Sequence, residues 1–271
     1  MDNDFSLKGK VILVTGGTGI LGYAFIKALF NAGAIVGVLG RNEAKANERA
    51  NEIIDAGGQA IALIADVLNK EQLEECRKKV LDKFGKIDGL VNAAGGNVPE
   101  AVLQPEDDIF SINIGGMKKA MDVNLWGTVL PTLLFGKSIA ESGGGTIVNI
   151  SSVSAERTLT KVLGYSMGKA AVESFNKWFA VELANRYGDR IRMNAIMPGF
   201  FITEQNRMLL TDGSGGLTQR GKSVIKQTPF KRFGEPSELG GALVWLMSDA
   251  SKFVTGTTIT VDGGFTAFSG V

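Results

Sequence analysis

The 271-residue chain contains no histidine and only one cysteine, Cys76. Without histidine the chain can form neither a Ser-His-Asp triad nor an imidazole metal site, and one cysteine excludes an internal disulfide and a thiolate cluster. So little cysteine is typical of proteins from a reducing compartment. Any catalysis must therefore use serine, tyrosine, lysine, asparagine, arginine or carboxylate side chains.

An excess of charge of either sign is also missing. The 29 Lys and Arg residues nearly balance the 28 Asp and Glu residues, and the net charge of +1 gives no support to nucleic-acid binding. No apolar run approaches the roughly 20 residues of a membrane helix, and residues 1–10 lack the apolar core of a signal peptide. We therefore expect a cytoplasmic protein that binds neither nucleic acid nor membranes.

The apolar residues predict strands that alternate with helices. Short runs that are apolar throughout, such as Val11–Thr15, Ile35–Leu39 and Ile87–Val91, alternate with segments of helical spacing. Strands of this kind are typical of a parallel sheet that helices cover on both faces. About seven strands and about six helices fill the chain without a linker. We therefore predict one doubly wound α/β domain over residues 1–271.

Two segments, 96–119 and 203–233, do not fit this alternation. Both begin near the carboxyl ends of predicted strands, where open α/β sheets bind their ligands. Long segments at this edge are usually lids or substrate loops, and a surface insertion is the alternative. We predict that residues 203–233 form a substrate lid.

Glycine is abundant, with 36 residues, and several of these follow the first strand. Residues 15–22 read TGGTGILG and connect this strand to a helix. Backbone N–H groups at a helix N-terminus can bind the phosphates of a dinucleotide where no Cβ blocks the approach. A turn without a ligand is the alternative. The residues predicted to bind the cofactor here are Gly16, Gly17, Thr18, Gly19, Ile20 and Leu21.

The end of the second strand bears on the choice of nicotinamide cofactor. An acidic residue at this position binds the ribose 2′-OH and repels a 2′-phosphate. This chain has Arg41 and Asn42 instead, and arginine can bind a phosphate through two parallel hydrogen bonds. We therefore expect NADP(H) to be preferred over NAD(H). A solvated Arg41 in the first turn of the next helix is the alternative.

Two further strand ends complete the predicted cofactor site. Asp66 and Val67 follow the third strand, where a carboxylate can accept a hydrogen bond from an adenine amino group. Asn92, Ala93 and Ala94 follow the fourth strand, where small residues let the backbone lie against a flat ligand. Ordinary turns would explain either motif alone.

Ser152, Tyr165 and Lys169 are the side chains best suited to catalysis. Tyr165 and Lys169 are four residues apart in a predicted helix and therefore share one face. An ammonium group beside a phenol is expected to lower the pKa of the phenol, which gives a proton donor near neutral pH without histidine. Ser152 follows the predicted strand Thr146–Ile150 and can donate a hydrogen bond to a substrate carbonyl.

With these motifs the chain resembles the short-chain dehydrogenase/reductase family, single-domain branch, over essentially its full length. The resemblance rests on the glycine loop, on Ser152 and on several shorter motifs, which are Asp66-Val67, Asn92-Ala93-Ala94-Gly95, Asn124, Tyr165-Ser166-Met167-Gly168-Lys169, Pro198-Gly199 with Thr203, and Asp262-Gly263-Gly264. It implies a Rossmann-type fold, hydride transfer between nicotinamide and a carbonyl or alcohol, and a homotetramer.

The resemblance also implies a role for each site residue. Tyr165 is the acid and base, Lys169 holds the nicotinamide ribose and tunes Tyr165, and Ser152 positions the substrate oxygen. Asn124 anchors a water molecule in the proton path. The segment that would hold the nicotinamide carboxamide contains Pro198, Gly199, Ile202 and Thr203.

The glycine loop departs from this branch in its spacing. The branch has T-G-x-x-x-G-x-G, whereas the middle glycine of this chain, Gly19, comes one residue earlier. That spacing is similar to the longer-chain branch of the family. It leaves open which loop N–H groups reach the pyrophosphate.

Four less general segments, 95–97, 151–161, 198–207 and 262–271, resemble one group of the family, the D-mannonate oxidoreductases or fructuronate reductases. The substrate of that group is a keto-hexuronate. A sugar acid needs a cation for its carboxylate and polar groups for its hydroxyls. The candidate cations are Arg157, Lys161 and Arg207, and the candidate polar partners are Asn97, Gln205 and Asn206. A solvated loop charge is the alternative for each cation.

Two other functions stay open at this point. One is reduction of another polyol or ketone, with a gluconate-type or a 3-oxoacyl substrate. The other is a cofactor-binding regulator without catalysis, which the intact set of Ser152, Tyr165 and Lys169 argues against.

Overall fold

A computed structural model describes residues 4–104, 106–204, 206–212 and 215–270. Seven strands form one sheet in the order β3-β2-β1-β4-β5-β6-β7, and every neighbouring pair is parallel. The strands are β1 Val11–Thr15, β2 Ile35–Gly40, β3 Ala60–Ile64, β4 Gly89–Asn92, β5 Gly145–Ile150, β6 Ile191–Pro198 and β7 Thr258–Val261. The parallel sheet predicted from the apolar runs is confirmed.

The helices cover both faces of this sheet. They are α1 Ile20–Asn31, α2 Glu43–Asp55, α3 Lys70–Phe84, α4 Ile114–Met121, α5 Gly127–Glu141, α6 Leu163–Tyr187, α7 Arg207–Leu210, α8 Gln219–Gln227 and α9 Gly240–Met247. No helix among the residues placed in the structure is both long and apolar enough to cross a membrane.

Alternate residues of β1 enter opposite hydrophobic cores. Ile12 and Val14 pack in the core that includes α1 and α9, whereas Val11 and Leu13 pack in the core that includes α3 and α5. Successive side chains of a strand point to opposite faces, so a strand buried on both faces is apolar at every position. This double burial explains the uninterrupted apolar runs of the sequence.

The helix count predicted from the sequence is wrong, because the described residues contain nine α-helices rather than six. The segments predicted to be irregular contain α4 as well as α7 and α8. Two glycines in α4 and the mostly polar residues of α8 weaken the apolar periodicity that marks a helix. A π-helical turn at Asp122–Trp126 separates α4 from α5.

The strand order places the ligand-binding edge. β1 pairs with β2 on one side and with β4 on the other, so the chain reverses its direction of winding between these two neighbours of β1. A crevice forms where the order reverses, outside the carboxyl ends of the strands. The glycine loop follows β1 directly and lies at this crevice.

Candidate active site

The glycine loop packs directly against its neighbours. Gly16 has a φ of +64°, and a Cβ there would lie 2.7 Å from the carbonyl oxygen of Ala93. A Cβ on Gly22 would lie 2.2 Å from the carbonyl oxygen of Gly16. These close approaches require glycine at both positions. They also bring the first turn of α1 against the loop.

The N-terminus of α1 has no side-chain cap among the described residues, because its N-cap is Gly19. The first N–H groups of a helix have no partner within the helix and attract an anion. Arg49 supports the loop from its other side by donating hydrogen bonds to the carbonyl oxygens of Gly17 and Gly19. Sequence reasoning missed Arg49, because it lies on α2 outside the loop motif.

One crevice runs along the carboxyl edge of the sheet. Its cofactor half, a cavity of 340 Å³, is lined by the glycine loop and by the ends of β2, β3 and β4, including Arg41, Asp66 and Val67. Its substrate half, a cavity of 180 Å³, is lined by residues that include Ser152, Tyr165 and Lys169. The two cavities share lining residues, which are Leu21, Ala93, Gly95 and Thr203. The predicted cofactor and catalytic residues therefore meet in one crevice.

Arg41 and Asp66 face each other at the far end of the cofactor half. Arg41 Nη1 lies 3.6 Å from Asp66 Oδ2, and 78% of the Arg41 side chain is exposed. Two other predicted cofactor residues have structural partners. Asn42 Oδ1 accepts the backbone N–H of Lys45 and so caps α2. Asn92 is buried, and its Nδ2 donates to Thr132 Oγ1 and Asn149 Oδ1.

The catalytic side chains come from β5 and α6. Ser152 lies just beyond the end of β5, and Tyr165 and Lys169 lie one turn apart near the start of α6. Lys169 is 4% exposed, and its Nζ donates a 2.7 Å hydrogen bond to the carbonyl oxygen of Ile150. The same Nζ lies 5.7 Å from the centre of the Tyr165 ring. The structure therefore holds the ammonium beside the phenol.

The expected lowering of the Tyr165 pKa is corrected by the structure. Burial raises the pKa of Tyr165 above its usual value, and a hydrogen bond with Ser152 opposes this rise. Burial also lowers the pKa of Lys169 to about 8, against an opposing effect of Glu173. Low polarity disfavours a charge on either group, so desolvation outweighs the attraction between ammonium and phenolate.

Asn124 lies in the π-helical turn and is fully buried. Its Oδ1 accepts the N–H of Gly96 at 3.0 Å, and its Nδ2 donates to the carbonyl oxygens of Gly96 and Ala120 at 2.8 Å each. The side chain therefore fixes the loop after β4 beside Lys169. The implied water-anchoring role stays a prediction.

The segment after β6 closes the crevice at the predicted nicotinamide end. Pro198, Gly199 and Thr203 line the substrate half, and Ile202 is partly buried beside them. The amide of Asn206 binds backbone on both sides, because Oδ1 accepts from Thr203 N at 2.8 Å and Nδ2 donates to Phe201 O at 2.7 Å. Asn206 therefore lines the cavity but uses its amide to hold this turn.

The three candidate cations lie outside the substrate cavity. Arg157 and Lys161 line a separate groove of 620 Å³, where the Arg157 guanidinium donates to the carbonyl oxygen of Thr266. Arg207 is exposed and lines neither half of the crevice. Asn97 does line the substrate half, and Gln205 lies outside the described residues.

The substrate cavity contains a cation that sequence reasoning missed. Arg220, on α8, lines the same cavity as Ser152 and Tyr165. A signal for α8 was available in the sequence, since Thr218 accepts the N–H of Gly221 as an N-cap and Val224 follows at helical spacing. The prediction of an irregular segment over 203–233 hid this helix.

Comparison with known proteins places the chain among oxidoreductases. Residues 17–266 match a family described as enoyl-(acyl carrier protein) reductase. The uncharacterized oxidoreductase UxuB of Bacillus subtilis (strain 168) is 40% identical over 275 residues, which cover 98% of each chain.

Solved structures are similar to this chain over nearly its whole length. A protein from Haemophilus influenzae, assigned as a D-mannonate oxidoreductase and bound to NAD, is 38% identical with a TM-score of 0.90, covering 98% of both chains. A gluconate 5-dehydrogenase from Burkholderia cenocepacia J2315, in complex with NADP and tartrate, is 33% identical with a TM-score of 0.86, covering 97% of this chain and 98% of that one. Fold, site geometry and these similarities lead to one conclusion. The chain belongs to the short-chain dehydrogenase/reductase family of NAD(P)-dependent oxidoreductases.

Proposed function

We propose that the protein reduces the ketone of a sugar acid, with D-fructuronate and D-mannonate as the substrate pair. The charge of the substrate cavity carries this proposal. Its described lining includes two cationic residues, Lys169 and Arg220, and no carboxylate. A cavity lined by charges of one sign favours a ligand of the opposite charge. The similar proteins assigned as a D-mannonate oxidoreductase and a gluconate 5-dehydrogenase agree with a sugar-acid substrate.

Polar groups for the sugar hydroxyls are present in the same cavity. Asn97 lines it, as does Ser151, whose buried Oγ has no hydrogen-bond partner among the described residues. A buried hydroxyl without a partner is costly unless a ligand or water binds it. We infer that a substrate hydroxyl binds Ser151.

The crevice fits a nicotinamide dinucleotide. The uncapped N–H groups of α1 would bind the pyrophosphate, Asp66 and Val67 would hold the adenine, and Lys169 and Thr203 would lie at the nicotinamide end. A Cβ on Gly95 would lie 2.6 Å from Asn124 Oδ1 and 3.2 Å from Lys169 Nζ, so glycine keeps the space beside the lysine free. When bound, the reduced cofactor supplies the hydride for the carbonyl carbon.

The protein's own residues supply the proton and hold the carbonyl. Ser152 donates its O–H to the substrate oxygen, and Tyr165 transfers its phenolic proton to that oxygen as the carbon becomes tetrahedral. The Tyr165 phenolate that remains is stabilised by the Lys169 ammonium. Preorganised groups of this kind act mainly by orientation and general acid catalysis.

We further propose that NADP(H) is preferred over NAD(H). Arg41 lies at the open end of the cofactor half and is free enough in solvent to turn toward a 2′-phosphate. Its 3.6 Å pairing with Asp66 also offsets the negative charge that would repel that phosphate. Similar structures contain NAD in one case and NADP in another, and kinetics with both cofactors test the preference.

A 3-oxoacyl chain or a neutral ketone is the second candidate substrate. Apolar side chains on one side of the cavity favour it, namely Phe200, Phe201, Leu209 and Leu210. The partly buried Arg220 opposes it, because an acyl chain would leave this guanidinium without a counter-charge.

A substrate panel separates these proposals. Fructuronate, tagaturonate, 5-ketogluconate and a 3-oxoacyl thioester would each be tested with NADPH and NADH. We expect the highest kcat/KM for fructuronate with NADPH, and loss of turnover in Tyr165→Phe. Faster reduction of the thioester than of any sugar acid would contradict the proposal, and full activity of Tyr165→Phe would support the regulator hypothesis.

We propose that the protein is a homotetramer. Large apolar side chains are exposed on α5 and α6, including Leu133 on α5 and Trp178 on α6, of which Trp178 is 62% exposed. Exposed apolar patches of this kind mark interaction surfaces. Light scattering coupled to size exclusion should give a particle mass four times the chain mass of 28.7 kDa. Trp178→Glu should lower this particle mass. A wild-type mass of one chain would contradict the proposal.

We also propose that residues 203–233 act as a lid. Thr203 and Arg220 from this segment line the substrate cavity, so a bound ligand would contact it from above the sheet edge. Hydrogen exchange of α8 should slow when NADP⁺ and D-mannonate bind. Unchanged exchange would show that the segment is a fixed wall.

A further inference from the structure

We propose that Arg220 binds the carboxylate of the substrate and thereby sets the preference for sugar acids over neutral sugars. This inference deepens the proposed function and rests on it. Arg220 lies near the start of α8 and lines the cavity that contains Ser152 and Tyr165. It would replace the cations first predicted for this role.

The surroundings of Arg220 leave its charge uncompensated. Its Nη1 donates to Thr160 Oγ1 at 3.1 Å and its Nη2 to the carbonyl oxygen of Thr160 at 3.4 Å. Both acceptors are neutral, and no described carboxylate forms an ion pair with this guanidinium. Arg220 is partly buried, and burial lowers its pKa. A partly desolvated cation without a counter-ion gains most from an anionic ligand.

The guanidinium also keeps donors for a ligand. Arginine has five N–H donors, and the two bonds to Thr160 use two of them. Nε–H and one hydrogen on each Nη remain, and Nε–H with the neighbouring Nη–H can bind a carboxylate through two parallel hydrogen bonds. The bonds to Thr160 fix the guanidinium at the wall of the cavity and reduce the rotamer freedom lost on binding.

The second cation of the cavity cannot take this role. Lys169 Nζ is bound to the Ile150 carbonyl beside Tyr165, at the position where the family holds the nicotinamide ribose. A carboxylate there would compete with the reacting carbonyl. The chemistry therefore requires the two cations to act at different ends of the substrate, with Lys169 at the reacting end.

A comparison of charged and neutral substrates tests the inference. D-Fructuronate and D-fructose differ in a carboxylate and a hydroxymethyl group at the carbon farthest from the reaction. Arg220→Met should raise KM for D-fructuronate about 10–100-fold, the cost of a charge-assisted bidentate bond. It should change kcat little and leave kcat/KM for D-fructose unchanged. Arg220→Lys keeps the charge, so its KM for D-fructuronate should lie between those of wild type and Arg220→Met.

Two control variants separate charge from structure. Lys222 is an exposed cation on the same helix that lines neither cavity, so Lys222→Met should match wild type. Thr160→Val removes one bond between α8 and the loop at 160 but keeps the guanidinium. Thr160→Val should raise the KM for D-fructuronate far less than Arg220→Met does. Equal losses in Thr160→Val and Arg220→Met, or equal losses for charged and neutral substrates, would assign Arg220 a structural role and overturn the inference.

A binding measurement distinguishes failure of the inference from failure of the proposed function. Calorimetry would follow D-gluconate binding to the NADP⁺ complex of each variant, whether or not any sugar acid is turned over. Weaker binding in Arg220→Met alone supports the inference even if fructuronate is not reduced. Unchanged binding in Arg220→Met, or no binding to wild type, overturns the inference. If fructuronate is reduced but its KM is unchanged in Arg220→Met, the inference fails while the proposed function stands.

Discussion

Ser154 donates two hydrogen bonds to the Oγ of Ser152, one from its hydroxyl at 3.1 Å and one from its backbone N–H at 3.2 Å. A serine hydroxyl has two acceptor positions and one donor. Ser154 occupies both acceptor positions, so the single O–H of Ser152 is left to donate toward the substrate oxygen or Tyr165. The hydrogen bond between Ser152 and Tyr165 agrees with this direction, because it favours the phenolate and so opposes the rise that burial causes in the pKa of Tyr165.

Removal of the Ser154 hydroxyl should therefore weaken catalysis without removing a group that contacts the substrate. We expect Ser154→Ala to lower kcat by about 3–10-fold, the effect of one lost hydrogen bond, and to change the KM for cofactor little. Ser166→Ala is the matched control, since the buried Ser166 Oγ has no partner among the described residues. Steady-state kinetics of both variants test the idea, and equal effects would contradict it.

The pH dependence should reflect Lys169. Burial lowers the pKa of Lys169 to about 8, so the ammonium loses its proton as the pH rises through that value. Since the ammonium stabilises the Tyr165 phenolate formed during reduction, kcat/KM for reduction should fall above pH of about 8. Glu173 raises the pKa of Lys169. Glu173→Gln should therefore move this alkaline limb to lower pH.

A control carboxylate lies on the same helix. Glu182 is paired with Arg186 in the last turns of α6, away from the crevice. Glu182→Gln should leave the profile of kcat/KM against pH unchanged. If the alkaline limb of the profile does not move in Glu173→Gln, Lys169 does not control the fall of kcat/KM at high pH.

Sequence reasoning located the residues whose place in the fold follows from the end of a strand. The glycine loop, Asp66 and Ser152 each follow a predicted strand, and parallel strands bring their carboxyl ends to one edge. The structure places all three along one crevice. This step needs only that the strands are parallel, which the apolar runs indicate.

The same reasoning failed where the outcome depends on burial and side-chain direction. Sequence spacing shows that Tyr165 and Lys169 are neighbours but not that both are desolvated, so the predicted direction of the Tyr165 pKa shift was wrong. Arg157 and Arg220 are both basic residues of segments near the site, and only the packing of α8 places Arg220 in the cavity. Local sequence does not encode which cation faces inward.

The cofactor preference should depend on Arg41. If the guanidinium binds the 2′-phosphate, Arg41→Ala should lower kcat/KM for NADPH about 10–100-fold, as expected for the loss of a charge-assisted bidentate pair. The value for NADH should change little, because that cofactor has no phosphate there. Kinetics with both cofactors measure the ratio. Lys70→Ala removes an exposed charge that lines neither half of the crevice and is the control, and equal losses for both cofactors in Arg41→Ala would contradict the assignment.

The two glycines at 22 and 241 offer a matched test of the phosphate loop. A Cβ on Gly22 would lie 2.2 Å from the carbonyl oxygen of Gly16, whereas a Cβ on Gly241 would meet no atom within 4 Å. Both residues lie in helices, α1 and α9. Gly22→Ala should therefore displace the loop, raise the Kd for NADPH at least about tenfold and lower the melting temperature.

Gly241→Ala should have the opposite effect on stability. Alanine favours the helical backbone over glycine by about 0.5–1 kcal/mol where it causes no clash, so the melting temperature should rise slightly and NADPH binding should not change. Fluorescence titration with NADPH and thermal unfolding measure both quantities. A Gly22→Ala protein that binds NADPH as wild type does would show that the loop tolerates the displacement, and its close packing against α1 would then have no role in cofactor binding.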